Sequence, residues 1–269
     1  MHLFQDGYRR EGHRSLFGRG EFEAYCALRA NHGIALALAI GYEADGIDPQ
    51  NNAYLRRLAA DNDWLRTLAY VEPESAAGPD AIRALMQQGH SGLALYATDV
   101  DRARTLLSWP RAAWDVLRER GALVSLKARP EGIAVLEALV RSLPEVRFLF
   151  SHLGLPGALP ATGDEATLQA RLAPLLRLAD AGNVFVKLSG LYATSDPAHA
   201  YPHAGGARLV KSILEAFGPA RCVWGSDFAP ALEFVSFAQA VDVPGLDGLT
   251  SAERANVFSG NLVSLLGRC

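Results

Sequence analysis

Val146-Arg147-Phe148-Leu149-Phe150-Ser151-His152-Leu153-Gly154-Leu155-Pro156 is the stretch on which the fold turns. Val146–Phe150 is short, largely apolar and rich in β-forming residues. It stops at a serine, a histidine and a glycine. Such a run is what a parallel strand covered on both faces requires. Six further runs of the same kind flank it: Ile34–Ile40, Leu65–Val71, Gly92–Tyr96, Ala122–Leu126, Val184–Leu188 and Cys222–Trp224. Helical patterns lie between them. Asn52–Asp61 carries Leu55, Leu58 and Ala59 on one face, and Ala81–Gln88 carries Ile82, Leu85 and Met86. Pro110–Arg120 places Pro110 at the first helical position with Trp114 and Leu117 inward. Glu131–Ser142, Leu168–Ala181 and Ala207–Phe217 continue the series. The spacing suits βα crossovers and predicts an α/β chain, a (β/α)8 TIM barrel counted one strand short. An open doubly wound sheet is the competing arrangement, but no GxGxxG or P-loop marks a nucleotide crevice.

Composition agrees with one large domain over residues 1–269. Hydrophobic residues make up 49% and charged residues 20%, an ordinary globular balance with ample core. The net charge of −3 gives no pull towards nucleic acid or an anionic membrane. No apolar run approaches the roughly 18 residues of a membrane span, and no secretory leader is visible. The three cysteines, Cys26, Cys222 and Cys269, form no disulfide framework or metal knuckle, so a cytoplasmic protein is expected. A homodimer is the default expectation from general frequency.

Chemistry in parallel barrels gathers at the carboxyl ends of the strands. Read in order, those ends offer Tyr42, Glu72, Tyr96, Lys127 with Arg129, His152, Lys187 with Ser189, and Asp227. The chain has three lysines, and two of them, Lys127 and Lys187, stand here. Convergence of a histidine, an aspartate and two lysines on one rim predicts a site. His13, His32, His90, His199 and His203 read as loop or surface residues. Ala193–Gly206, which holds His203, is the longest loop-like segment and a candidate lid.

These strand ends resemble the amidohydrolase superfamily, in particular its amidohydrolase-2 branch, which includes 2-pyrone-4,6-dicarboxylate hydrolases, L-fuconolactonases and related metal-dependent decarboxylases. Phe148–Pro156 resembles the branch's DHLGxP motif, and Asn183–Gly190 its NVYVKLSG strand. Arg221–Pro230 is similar to RLMWGSDWP, and Leu249–Leu266 to the closing helix. Two departures stand out. The branch opens on a strand ending in His-x-His, and Met1-His2-Leu3-Phe4 resembles only its second half. The other histidine, with most of the first strand, is expected upstream of Met1. On the fifth strand, where metal-binding relatives often carry a histidine, this chain has Ser125-Leu126-Lys127-Ala128-Arg129.

The resemblance implies hydrolysis of a small lactone or cyclic ester, with Asp227 as general base and His152, His2 and Lys127 as polarising groups. Arg129, Tyr42, Tyr96, Lys187, Ser189 and Tyr192 are the candidate substrate contacts. No cofactor is favoured. If a divalent metal such as zinc is used, His2, His152 and Asp227 are its candidate ligands, short of an ideal set beside the Lys127 ammonium. The alternatives are a metal-dependent non-oxidative decarboxylase and a catalytically silent ligand-binding barrel.

Overall fold

The computed structural model describes residues 1–8, 16–44, 46–74 and 78–267. His13 and Cys269 lie outside the described residues. Seven parallel strands curl into a barrel-like sheet: β1 (Ala37–Ile40), β2 (Leu65–Val71), β3 (Gly92–Ala97), β4 (Leu123–Ala128), β5 (Arg147–Phe150), β7 (Val184–Leu188) and β9 (Cys222–Trp224), paired in that order. Two short strands, β6 (Leu159–Pro160) and β8 (Ser195–Asp196), form a separate parallel ladder near the rim. All seven strands of the sheet coincide with expected runs, because fully buried parallel strands carry no alternation to blur them.

Helices cover the outer face: α1 (Glu21–Asn31), α2 (Asn51–Asp61), α3 (Pro79–Gln87), α4 (Val100–Leu107), α5 (Arg111–Glu119), α6 (Pro130–Ser142), α7 (Glu165–Leu176) and α8 (Ala204–Phe217). The short α9 (Phe237–Val241), α10 (Ser251–Ala255) and α11 (Asn261–Leu266) follow. None of the described helices is long and apolar enough to cross a membrane. Pro110 caps α5 from outside instead of opening it, since its ψ of 143° is extended. The expected lid is only partly loop: it contains β8 and the first turn of α8. Two of the histidines expected at the surface are buried. His90 is held by the Thr67 hydroxyl at 2.8 Å, and His203 precedes α8 with a φ of 61°.

The strand period of two sorts the side chains. Val124, Leu126, Phe148, Phe150, Val184, Val186 and Leu188 point outward into the helix-covered core. Leu38, Ile40, Leu68, Tyr70, Tyr96, Leu123, Leu149 and Val223 fill the barrel interior. By the same parity Ser125, Lys127, Ser151, Lys187 and Ser189 face inward, which gives the interior a polar upper layer.

Among the described residues the barrel has one seam. Edge strands β1 and β9 do not pair with each other. Between their upper ends lies Met1–Phe4. Met1 N–H donates to Leu38 O at 3.2 Å, Ile40 N–H donates to Met1 O at 2.9 Å, and His2 N–H donates to Phe228 O. The first pair is the bonding pattern of a parallel bridge opposite Ala39. Met1–Phe4 therefore holds the upper end of the eighth strand position. Below it is an apolar slot of about 250 Å³ lined by Leu38, Ile40, Leu149, Val223 and Leu262, with Lys187 also on its wall.

Candidate active site

Each functional side chain stands on a strand end or the turn after it. Met1, His2, Tyr96, Ser125, Lys127, Ser151, His152, Lys187, Ser189 and Asp227 line one cleft inside the rim. Its free volume of about 10 Å³ is close to what one water needs. Asp227 is central. Its Oδ1 lies 3.9 Å from His2 Nε2, its Oδ2 lies 3.9 Å from His152 Nδ1, and the Tyr192 hydroxyl donates to Oδ2 at 2.7 Å.

The turns that deliver these groups are strained. Non-glycine residues with positive φ are His152 (52°), Leu153 (59°) and Leu155 (49°) after β5, and Asp227 (51°) after β9. Each costs roughly 1–3 kcal/mol, and such residues cluster where geometry serves function. A glycine makes room for one of them. Gly190 has φ 65°, and a Cβ there would sit 2.6 Å from His152 Nδ1. Gly190→Ala is therefore expected to displace the imidazole and lower turnover by on the order of 10²-fold, with circular dichroism unchanged. Wild-type turnover in that variant would show that His152 does not need this seat.

Hydrogen bonds fix the protonation pattern. His2 Nδ1 lies 2.9 Å from Ile40 O, and a carbonyl only accepts, so Nδ1 carries the proton. In the neutral ring, Nε2 is then a bare acceptor turned to Asp227. This changes the expected role of His2, because an acceptor cannot polarise a carbonyl. Ser189 Oγ meets His152 Nδ1 at 3.1 Å. Burial pushes His2 down to about 3 and His152 down to about 4, so both rings are neutral at physiological pH. Burial pushes Asp227 up, but the imidazoles and the Tyr192 hydrogen bond outweigh it and hold the carboxyl below its ordinary value. Asp227 is thus the charged member at neutral pH.

Lys187 lies beneath it, with Nζ 3.3 Å from Ser151 Oγ and 3.4 Å from Ser125 Oγ. Burial pushes its amine down to about 8, against the pull of Asp227. Between about pH 8 and the ordinary lysine value the unfolded chain therefore binds more protons than the folded one, and this group makes stability rise with pH across that window. Lys187→Met is expected to remove that slope, so the wild type should gain on the variant between pH 8 and pH 10 in denaturant titrations. Equal slopes would count against a buried ammonium.

Lys127 stands across the cleft with Nζ 5.0 Å from the centre of the Tyr96 ring. Tyr96, Tyr42 and Tyr70 form an aromatic wall with ring centres 4.9–5.4 Å apart. Tyr70 was not among the expected site residues. Tyr192, the expected contact nearest the lid, stacks on Phe234 at 4.6 Å. Arg129 is not brought into the cleft. It is exposed and lines an outer groove of about 720 Å³ with Glu131 and Arg171.

The candidate metal ligands do not fit a metal. Among the described residues no group of three or more His, Cys, Asp or Glu has a metal-holding arrangement. Two lysines face the same space, and His152 Nδ1 is already engaged by Ser189.

A parallel barrel with a buried carboxylate, two imidazoles and two lysines on its carboxyl rim belongs to the TIM-barrel class of architectures. The family model described as amidohydrolase matches residues 22–268, and the chain belongs to the amidohydrolase-2 family. Solved structures resemble it over most of its length. An amidohydrolase from Burkholderia multivorans with bound zinc matches at a TM-score of 0.75 and 18% identity, covering 91% of this chain and 87% of that one. A protein from Pseudomonas putida, provisionally named a 2-pyrone-4,6-dicarboxylic acid hydrolase, matches at 0.71 and 22%, covering 97% and 90%. One from Acinetobacter baumannii, with the same provisional name and citric acid bound, matches at 0.73 and 16%, covering 99% and 97%. At these identities the likeness carries the fold alone. No curated protein matches the sequence.

Proposed function

We propose that this chain hydrolyses a small lactone or cyclic ester, with Asp227 as the general base. The observation that carries the reading is the pair of acceptors that Asp227 Oδ1 and His2 Nε2 present 3.9 Å apart. A water between them points one proton at each and turns its lone pairs outward. Asp227 takes a proton as the water oxygen attacks the ring carbonyl carbon. The carbonyl oxygen becomes an oxyanion, stabilised by the Lys127 ammonium and by His152 Nε2–H, the proton placed there when Ser189 donates to Nδ1. The ring C–O bond breaks, and the protonated Asp227 returns its proton to the leaving alkoxide. The product hydroxy acid ionises, so each turnover releases one proton.

Lys187 supports the ionised state of Asp227 by charge. Tyr42, Tyr96 and Tyr192 contribute aromatic faces and hydroxyls for an oxygen-rich ring. Arg129 acts at most on an extended substrate that reaches the outer groove.

The test is proton release from a panel of sugar lactones and pyrone carboxylates, with and without chelator. Turnover that survives chelation supports the reading. No turnover on any lactone overturns it.

A further inference from the structure

We propose that Glu21 is the positioning residue of His2: its carboxylate fixes the Met1–Phe4 segment and thereby the imidazole on the cleft. The inference rests on reading His2 as a working group of the site.

Glu21 is the first residue of α1, where a carboxylate suits the helix dipole while staying in water. Here it is completely buried. Burial of a carboxylate is costly unless its oxygens are used, and both are. Oε1 accepts Phe4 N–H at 2.7 Å and Oε2 accepts Tyr8 N–H at 2.6 Å. The two bonds bracket the turn after the His2 segment, which is closed by Gly7 N–H donating to Phe4 O at 3.1 Å. The segment needs such an anchor, because Met1–Phe4 has no full ladder on either side. Asn51 supplies a second tie, donating from Nδ2 to Leu3 O at 2.8 Å. Neither bond touches the cleft, so both act on chemistry only through where they put His2.

The anchor has a pH signature. Burial pushes Glu21 up to about 7, the like charge of Asp48 pushes the same way, and the two N–H bonds pull it down. The other titratable groups facing it are Tyr8 and, on α2, Tyr54, whose phenol burial pushes up to about 12 with help from Glu21. Release of the segment would hydrate Glu21 and return it to the ordinary carboxylate value. Between the ordinary carboxylate value and about 7 the seated form therefore holds a proton on Glu21 that the released form gives up, so this group makes seating weaken with pH across that window, while His2 and the Met1 amine, pushed down by burial to about 3 and about 5, work the other way.

Hydrogen exchange over residues 1–8, corrected for intrinsic rates, tests this in the wild type, Glu21→Gln and Glu21→Ala between about pH 4.5 and pH 8. Relative to Glu21→Gln, protection in the wild type should fall as pH rises from about 4.5 to about 7. Glu21→Gln cannot ionise and keeps an acceptor for only one of the two N–H groups, so residues 1–8 should exchange at a rate between those of the wild type and Glu21→Ala. Glu21→Ala should exchange residues 1–8 roughly tenfold faster while β3 to β5 stay protected. On any lactone that is turned over, Glu21→Ala should lower kcat more than it raises KM, and Glu21→Gln should restore part of the loss. Unchanged exchange in Glu21→Ala, or the same pH dependence in the wild type and Glu21→Gln, overturns the proposal. Should Glu21→Ala fail to fold, the Glu21→Gln comparison still decides. Absence of lactone turnover in the wild type would defeat the hydrolase reading and leave the exchange result to judge Glu21 alone.

Discussion

Asp227→Asn is expected to lower kcat by about 10²- to 10⁴-fold, the range for loss of a general base. The amide keeps the volume of the side chain and can still accept from Tyr192 at the 2.7 Å contact, so the cleft should hold its shape. What disappears is the one group charged at neutral pH that can take a proton from water. KM should move little, because Asp227 meets the water and not the body of the substrate. The pH profile discriminates further. The wild type should lose activity as pH falls through the Asp227 pKa, which lies below the ordinary carboxylate value. The residual activity of Asp227→Asn should lack that limb. A variant with wild-type kcat would remove Asp227 from the chemistry.

The second large effect is on stability. Trp114→Ala should destabilise the fold by about 3–5 kcal/mol, a typical cost for truncating a buried aromatic. Trp114 is 2% exposed on the inner face of α5, packed against Trp109 and Phe148 with ring centres 5.4 and 6.1 Å away. It therefore ties α5 to β5, the strand that ends at His152. Its indole N–H has no hydrogen-bond partner among the described residues. Trp114→Phe forfeits no bond and should cost far less than Trp114→Ala, on the order of 1 kcal/mol. Denaturant midpoints of the two variants check this. Equal losses would mean that the indole nitrogen matters more than the ring volume.

The parallel sheet was legible because each buried strand is a compact apolar run, and the rim was legible because polar residues end those runs. His152, Lys127, Lys187 and Asp227 share the cleft for that reason. Other features depend on three-dimensional placement that sequence spacing does not encode. Tyr70 lies inside an apolar run, and only the register shows that it faces inward beside Tyr96. Arg129 stands two residues after Lys127 but beyond the end of β4, where the chain turns into α6 and strand parity no longer applies, so its side chain lies at the surface. Glu21 looks like an ordinary helix-start acid, since its partners Phe4 and Tyr8 are distant in sequence. His90 and His203 were expected at the surface because a histidine in a turn-rich stretch carries no sign of what covers it. Helix α4 escaped notice because only Ala103 and Leu106 of its eight residues are buried. The run from Ile34 enters β1 only at Ala37, since Ile34 N–H is taken by Arg29 O at the end of α1.

The seam between β1 and β9 has a mechanical meaning. Elsewhere each strand is laced to two neighbours, so a local opening must break a ladder. At the seam, Met1–His2 links the two lips through three backbone bonds. His2 is tied to the β1 lip through Ile40 O, whereas Asp227 belongs to the β9 lip. The 3.9 Å gap between His2 and Asp227 therefore lies across the line where, among the described residues, two strands of the sheet are not paired with each other. Any change in how Met1 and His2 hold the two lips therefore changes the separation of His2 from Asp227.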